Sequence, residues 1–440
     1  MLVLAIGAVT VIHKDSLAAL PLGRLAASPA ALPSGRLAAS SAARPPARLP
    51  AQQADILFYQ SRVARDPYGA RDRAALAALY LARGRANNDP SDFARAESLA
   101  TVSLATRHKR NGDAVQVLVG AMMAQHRFAE AWQAMQRDAD PGEPLARATL
   151  GEIALELGRY PAADSLFESL TLLRTQTAIA PRYARWLELN GRSGEARELL
   201  QATRASLEHG FRIPPEQLAW FDLRLGELAQ RNGRYDLASE SYARGLALVP
   251  ADARLLAASA RLAAARQAWH QVIALGEQAL GGSFEPGTLG LLSEAYAATG
   301  DTARAAEYAR AMEVSLSQQP GAYHRGWALF LLDHHRQVER VLRRAQEELA
   351  IRKDIYGYDV VAWALHQAGR DGEARVLADS ALGRGTRDPM LHYHRSVIAL
   401  ALGDTSSARD DIAAAIAIDP RYRPGHGPAA AEIAATLHHF

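Results

Sequence analysis

Residues 390–420, MLHYHRSVIALALGDTSSARDDIAAAIAIDP, show two apolar stretches of helical period split by a polar break at Gly403-Asp404. After the break, Ala408, Ile412 and Ala415 recur in steps of four and three. That spacing puts them on one face of a helix. Gly403 supplies the permissive backbone for a turn. Pro420 cannot continue a helix and closes the second one. The stretch predicts a helical hairpin.

The pattern recurs upstream. Gly158 is followed by Ala163, Phe167 and Leu170, and Gly191 by Ala196, Leu200 and Thr203. Gly233 leads to Ala238, Tyr242 and Pro250, Gly300 to Ala305, Ala309 and Met312, and Gly369 to Ala374, Ala378 and Ala381. Ahead of the turns, Gly151 matches Gly226, and Ala154 matches Ala229 and Tyr296. Glycines 158 and 191 are 33 apart, and 369 and 403 are 34 apart. The gaps from 233 to 300 and from 300 to 369 are near twice that. Each predicts one degenerate hairpin: 255–280 with a turn near Arg266-Gln267, and 321–349 with a turn near Asp333-His334.

A period near 34 with small residues at these places resembles the tetratricopeptide repeat (TPR) family over residues 144–420. The signature positions are Gly151, Ala154, Gly158, Ala163 and Phe167, then Gly226, Ala229, Ala238, Tyr242 and Pro250, with Tyr296, Ala305, Ala408 and Pro420. Two units end in Thr175 and Thr386 where proline is usual, and the early tryptophan of the family is absent. The resemblance implies an all-α, right-handed superhelical solenoid of about nine to ten helix pairs. A two-helix unit cannot bury its own apolar face, so neighbours must stack on it. Ala163, Ala238, Ala305 and Ala408 are the expected close crossings. A chain of 440 residues with one compact core would normally divide, whereas a solenoid grows in one dimension, so one elongated helical domain is expected.

Taken in order, residues 2–12 form an apolar run, too short for an ordinary membrane span. It fits the apolar part of an export signal, without the usual preceding basic residues; a misassigned start or an apolar chain end fits as well. Residues 13–53 are an Ala/Pro/Arg-rich, low-complexity linker, expected to be disordered. A first helix is expected at 54–65. Two divergent hairpins follow, 71–84 with 92–106 around an insertion at 85–90, and 113–126 with 128–137. The regular array runs over 144–420, with a longer connection at 205–215. A closing helix at 428–439, within a 421–440 cap, covers the last repeat.

Charge changes the picture little. Net charge is +3, but residues 1–50 alone carry +4, leaving 45 basic against 46 acidic residues. A nucleic-acid-binding array would carry a basic stripe, so no nucleic-acid partner is expected. With no cysteine, disulfides and thiolate metal sites are excluded. No lysine follows a glycine, so there is no phosphate loop, and no metalloprotease or nucleophile-elbow motif occurs. No cofactor, metal or catalytic site is expected.

The first helix of each hairpin lines the concave side in the resembled family. On the late units that face would carry Tyr323, His324, Trp327, Tyr356, Asp359, Trp363, His366, Tyr393 and His394. Earlier units carry Glu152, Arg185, Glu188, Arg224, Glu227, Arg261 and Glu294 there. The expectation is a groove with a charged first half and an aromatic second half that grips a peptide. The same rings could instead pack between units as core. The favoured function is a non-enzymatic scaffold for a protein or peptide partner, exported or held at a membrane by its N-terminus. The alternatives are an intracellular regulatory or assembly subunit and, third, a helical-repeat enzyme using Glu152, Glu227 or His366.

Overall fold

In a computed structural model of the chain, residues 51–210, 213–317, 325–424 and 427–437 are described. They are α-helical throughout, without a strand among them. The apolar segment at 2–12 and the linker up to residue 50 lie outside the described residues. The linker's expected end at 53 is corrected: α1 (Ala51–Arg65) already begins directly after Pro50.

Ten hairpins follow α1 among the described residues. The first five are α2 (Ala70–Asn87) with α3 (Pro90–Thr106), α4 (Gly112–Ala124) with α5 (Phe128–Asp138), α6 (Pro144–Glu156) with α7 (Tyr160–Glu168), α8 (Ala180–Leu189) with α9 (Ser193–Glu208), and α10 (Pro215–Arg231) with α11 (Tyr235–Leu248). Then come α12 (Ala253–Ala265) with α13 (Trp269–Gly282), α14 (Pro286–Ala298) with α15 (Thr302–Ser317), α16 (Arg325–Asp333) with α17 (Val338–Ile351), α18 (Ile355–Gln367) with α19 (Asp371–Leu382), and α20 (Pro389–Ala401) with α21 (Thr405–Ile418). Helix α22 (Ala430–Leu437) covers the last hairpin, and its Ile433 and Leu437 join the core of the final units. Of the insertion expected at 85–90, residues 85–87 extend α2, Asn88 and Asp89 make the turn and Pro90 opens α3.

Each hairpin turn holds a residue in the left-handed region, and the eighth holds a second, Gln337 at φ 52°. Six are the glycines read from the repeat, 158, 191, 233, 300, 369 and 403, at φ between 66° and 89°. The other four are Asn88, His126, Gln267 and His335, at φ between 51° and 59°. Both degenerate hairpins therefore turn where the period places them, on a residue with a Cβ.

Small residues let the paired helices close. A Cβ on Gly151 would lie 2.7 Å from the Phe167 ring, and one on Gly226 would lie 2.2 Å from the Tyr242 ring. Each aromatic ring of the second helix thus sits on bare backbone of the first. Ala163, Ala238 and Ala408 are fully buried at their crossings. Ala305 is only half-buried, because α15 presents more of its length to solvent.

The array is not a string of neighbour-only contacts, and the elongated domain expected from stacking alone is corrected. It coils, and its second turn rests on its first. The turn of the third hairpin meets the loop after the eighth: the Lys353 N–H donates to the Leu157 carbonyl at 3.3 Å, and Arg352 pairs with Glu156 at 2.8 Å. The turn of the fourth meets the loop after the ninth, where Arg384 bonds Asn190 at 2.5 Å and reaches Asp164 of α7 at 2.7 Å, and Thr386 donates to the Leu189 carbonyl. The turn of the fifth meets the end of α21, where the Tyr235 hydroxyl donates to Asp419 at 2.7 Å. Apolar contacts cross the same seam, since Ile355, Ala381 and Leu391 share a core with Phe167 and Leu170. A collapsed globule would mix its contacts; here the partners are 184 to 220 positions apart at all three places. This register is that of one superhelical coil lying on the next, so the fold is a helical-repeat superhelix of TPR-type hairpins.

Candidate functional site

The first helices of the hairpins face inward, and a passage runs inside the coil. It has two chambers of about 560 and 580 Å3. Both are bordered by Glu227, Arg261, Arg325 and Gly326, which form the boundary, or neck, between the two chambers. The first chamber draws on α2, α6, α8, α10, α12, α14, α16 and α18, with Tyr160 of α7, Ala279 of α13 and Ala345 and Glu348 of α17, and the second continues towards α20 and the end of α21.

One wall is a ladder of ion pairs from each first helix to the next. Glu152 of α6 pairs with Arg182 of α8 at 2.7 Å, and Glu188 of α8 with Arg231 of α10 at 2.6 Å. Glu227 of α10 lies 3.7 Å from Arg261 of α12. Within helices, Arg185 pairs with Glu188 at 3.1 Å, and Arg224 with Glu227. Burial disfavours the charge on Glu188, but Arg231, Arg185 and Arg224 outweigh it and hold the carboxyl at about 2. Glu294 has the opposite fate: burial, with the charge of Asp333 adding to it, raises it to about 7. The charged half expected from the sequence is thus a ladder of paired side chains, which braces one hairpin against the next.

The aromatic half divides. Tyr323 and His324 lie outside the described residues. Trp327 and Tyr356 border the first chamber. The Arg325 guanidinium lies 3.9 Å from the centre of the Tyr356 ring, and Arg185 approaches the same ring at 5.5 Å. The other late residues are drawn inward. Asp359, Tyr393 and His394 are each 1 % exposed and Trp363 is 6 % exposed. His394 stacks on Trp363 at 4.2 Å and holds Asp359 through Nδ1 at 2.8 Å. The Trp363 indole N–H donates to Asp333 at 3.0 Å, and Tyr393 donates to the Pro428 carbonyl. His366 also stacks with Trp363, at 5.0 Å, and bonds Asp371 at 2.6 Å. Asp359, Trp363, Tyr393 and His394 therefore offer no surface to a partner. The expectation is corrected for these four, which point between hairpins, whereas Trp327, in the same register as Trp363, borders the first chamber.

Sequence reasoning missed Arg325 and Arg352. Arg325 opens α16 and reaches the neck, while Arg352 closes the seam. Their signal was faint, since an arginine beside a turn has no partner that spacing reveals. Among the described residues no three His, Asp or Glu side chains come together as metal ligands, and no helix is long and apolar enough to cross a membrane.

No protein-family model and no curated protein matches the sequence. Among solved structures, the chain is similar to one in the APC/C hetero-tetramer Cut9–Hcn1, at 11% identity and a TM-score of 0.34, over 88% of this chain and 96% of that one. It is also similar to human IFIT1 in a dimer with PPP-AAAA, at 12% identity and a TM-score of 0.36, over 66% and 72% of the two chains.

Proposed function

We propose that the protein is a non-enzymatic scaffold that takes an extended polypeptide segment of a partner into the passage inside its coil. The observation that carries this reading is that the two chambers share Glu227, Arg261, Arg325 and Gly326 on their borders and are lined in large part by first helices. A preformed passage lined with aromatic and arginine side chains binds at low ordering cost.

Gly326 provides the test. It borders both chambers, and a Cβ there would meet open space. Linear twelve-residue peptides selected against the folded chain should lose binding to Gly326→Trp, which fills the neck. They should keep binding to Gly194→Trp, a bulky change at an exposed site with open space around it. Both variants should melt with the parent. Peptides that bind the filled neck as well as the parent would place recognition outside the coil and end this reading.

A further inference from the structure

The neck holds two cations that the ladder does not satisfy. Arg261 has Glu227 only at 3.7 Å, beyond a hydrogen bond. Arg325 lies over Tyr356, its Cζ 3.9 Å from the ring centre, and its Nη2 makes a 3.5 Å contact with the Met390 sulfur, a weak acceptor. Its nearest carboxylate oxygen, Oδ2 of Asp359, is 3.6 Å away, and the other oxygen of Asp359 is taken by His394. The Nε of Arg325 is buried without a hydrogen-bond partner, and so is the indole Nε1 of Trp327, two residues on and bordering the first chamber. Buried donors left unmade are costly, and a charged acceptor is the partner that relieves most.

We infer that the neck between Arg325 and Arg261 is a subsite for one carboxylate, the Asp or Glu side chain of a polypeptide threaded through the passage; this rests on the reading of the passage given above. A guanidinium edge fits a planar carboxylate with two parallel hydrogen bonds. Neighbouring charge selects against a polyanion. Glu227 stands in the neck itself and Glu294 borders the second chamber, so a second negative charge on the ligand would meet an acid. The guest is therefore an acidic residue set among neutral or basic ones. In the free protein, Asp359 holds the guanidinium loosely, and the guest carboxylate displaces that long contact.

The test uses the full chain with 15N-labelled indole and arginine side chains, the Trp327 signal being assigned from Trp327→Phe. The probes are the peptide acetyl-GSAEASG-amide, its Gln twin acetyl-GSAQASG-amide, and sodium acetate. The Glu peptide should shift the Trp327 Nε1–H and Arg325 Nε–H signals saturably, with an affinity roughly tenfold or more above the Gln twin. Arg325→Gln should abolish that preference, and Arg261→Gln should weaken it, with melting unchanged. Equal affinity for the two peptides, with passage signals moving in both, overturns the carboxylate subsite and leaves the passage reading standing. A preference that survives in Arg325→Gln overturns it too. Acetate binding as tightly as the Glu peptide would show a simple anion site and overturn the claim for a polypeptide. If neither peptide moves any passage signal, both readings fall.

Discussion

Gly158 and Lys353 touch backbone to backbone across the seam between the two coils: a Cβ on Gly158 would lie 2.1 Å from the Lys353 carbonyl oxygen. Gly158 is also left-handed, at φ 69°. Gly369 shares that geometry, at φ 74°, with open space around it. Gly369→Ala should cost about 1 kcal/mol for the backbone alone. Gly158→Ala should cost about 1–3 kcal/mol more, because backbone must move. Urea unfolding of both variants measures the difference; equal losses would mean that the coils do not rest on each other there.

The non-glycine turns carry the reverse expectation. Gln267 and His335 hold φ of 57° and 51° with a Cβ in place. Gln267→Gly should relieve that strain and raise stability by about 0.5–1 kcal/mol, despite the added freedom of the unfolded chain. A fall in the urea midpoint would contradict this account of the degenerate turns.

Crossing alanines should separate by burial. Ala163→Leu and Ala238→Leu should each lose about 1–3 kcal/mol by overpacking. Ala305→Leu, at a half-buried site, should lose clearly less. Thermal melts of the three variants give the order.

Two tryptophans once grouped together should part. Trp363 is buried, stacks with His366 and His394 and is bonded to Asp333, so Trp363→Ala should lose about 3–5 kcal/mol. Trp327 is half-buried at the passage wall, so Trp327→Ala should lose much less stability. Trp327→Ala melting as far down as Trp363→Ala would place its ring in the core.

Two carboxyls give stability slopes of opposite sign with pH. Glu188 is held at about 2, below its unfolded value, so the stability it gives is complete above about pH 4.5 and is lost as pH falls towards 2. Glu294 is raised to about 7, so its contribution is full below about pH 4.5 and is lost as pH rises through 7. Melting followed from pH 3 to 8 should show Glu294→Gln gaining on the parent towards the alkaline end. Glu188→Gln should lose most near neutrality, where it strands Arg231 and Arg185. A pH-independent offset in both variants would count against these assignments.

The hairpins were legible because their period is written in residues with one steric reason to be there. Gly151 beneath Phe167 and Gly226 beneath Tyr242 leave no room for another choice, so spacing alone located them. The turns at Gln267 and His335 had to be inferred from the gaps in the period, since a strained residue looks like any other in sequence. The site was less legible. Trp327 and Trp363 share a register, yet one borders the passage and the other is buried. What separates them is the coil's curvature and the later hairpin's buried Asp359–His394 pair, neither of which a single repeat encodes. The seam was invisible for the same reason. Its partners lie nearly 200 positions apart, and nothing local in Leu157 or Lys353 announces the other.

That seam decides how a guest could arrive. Three hairpin turns are fastened to the loops above them by Arg352, Arg384 and Tyr235. On the reading proposed above, a polypeptide guest would therefore come in by a loose tip and be drawn along, as thread goes through a needle, and unfastening Arg352 or Arg384 would open a second way in.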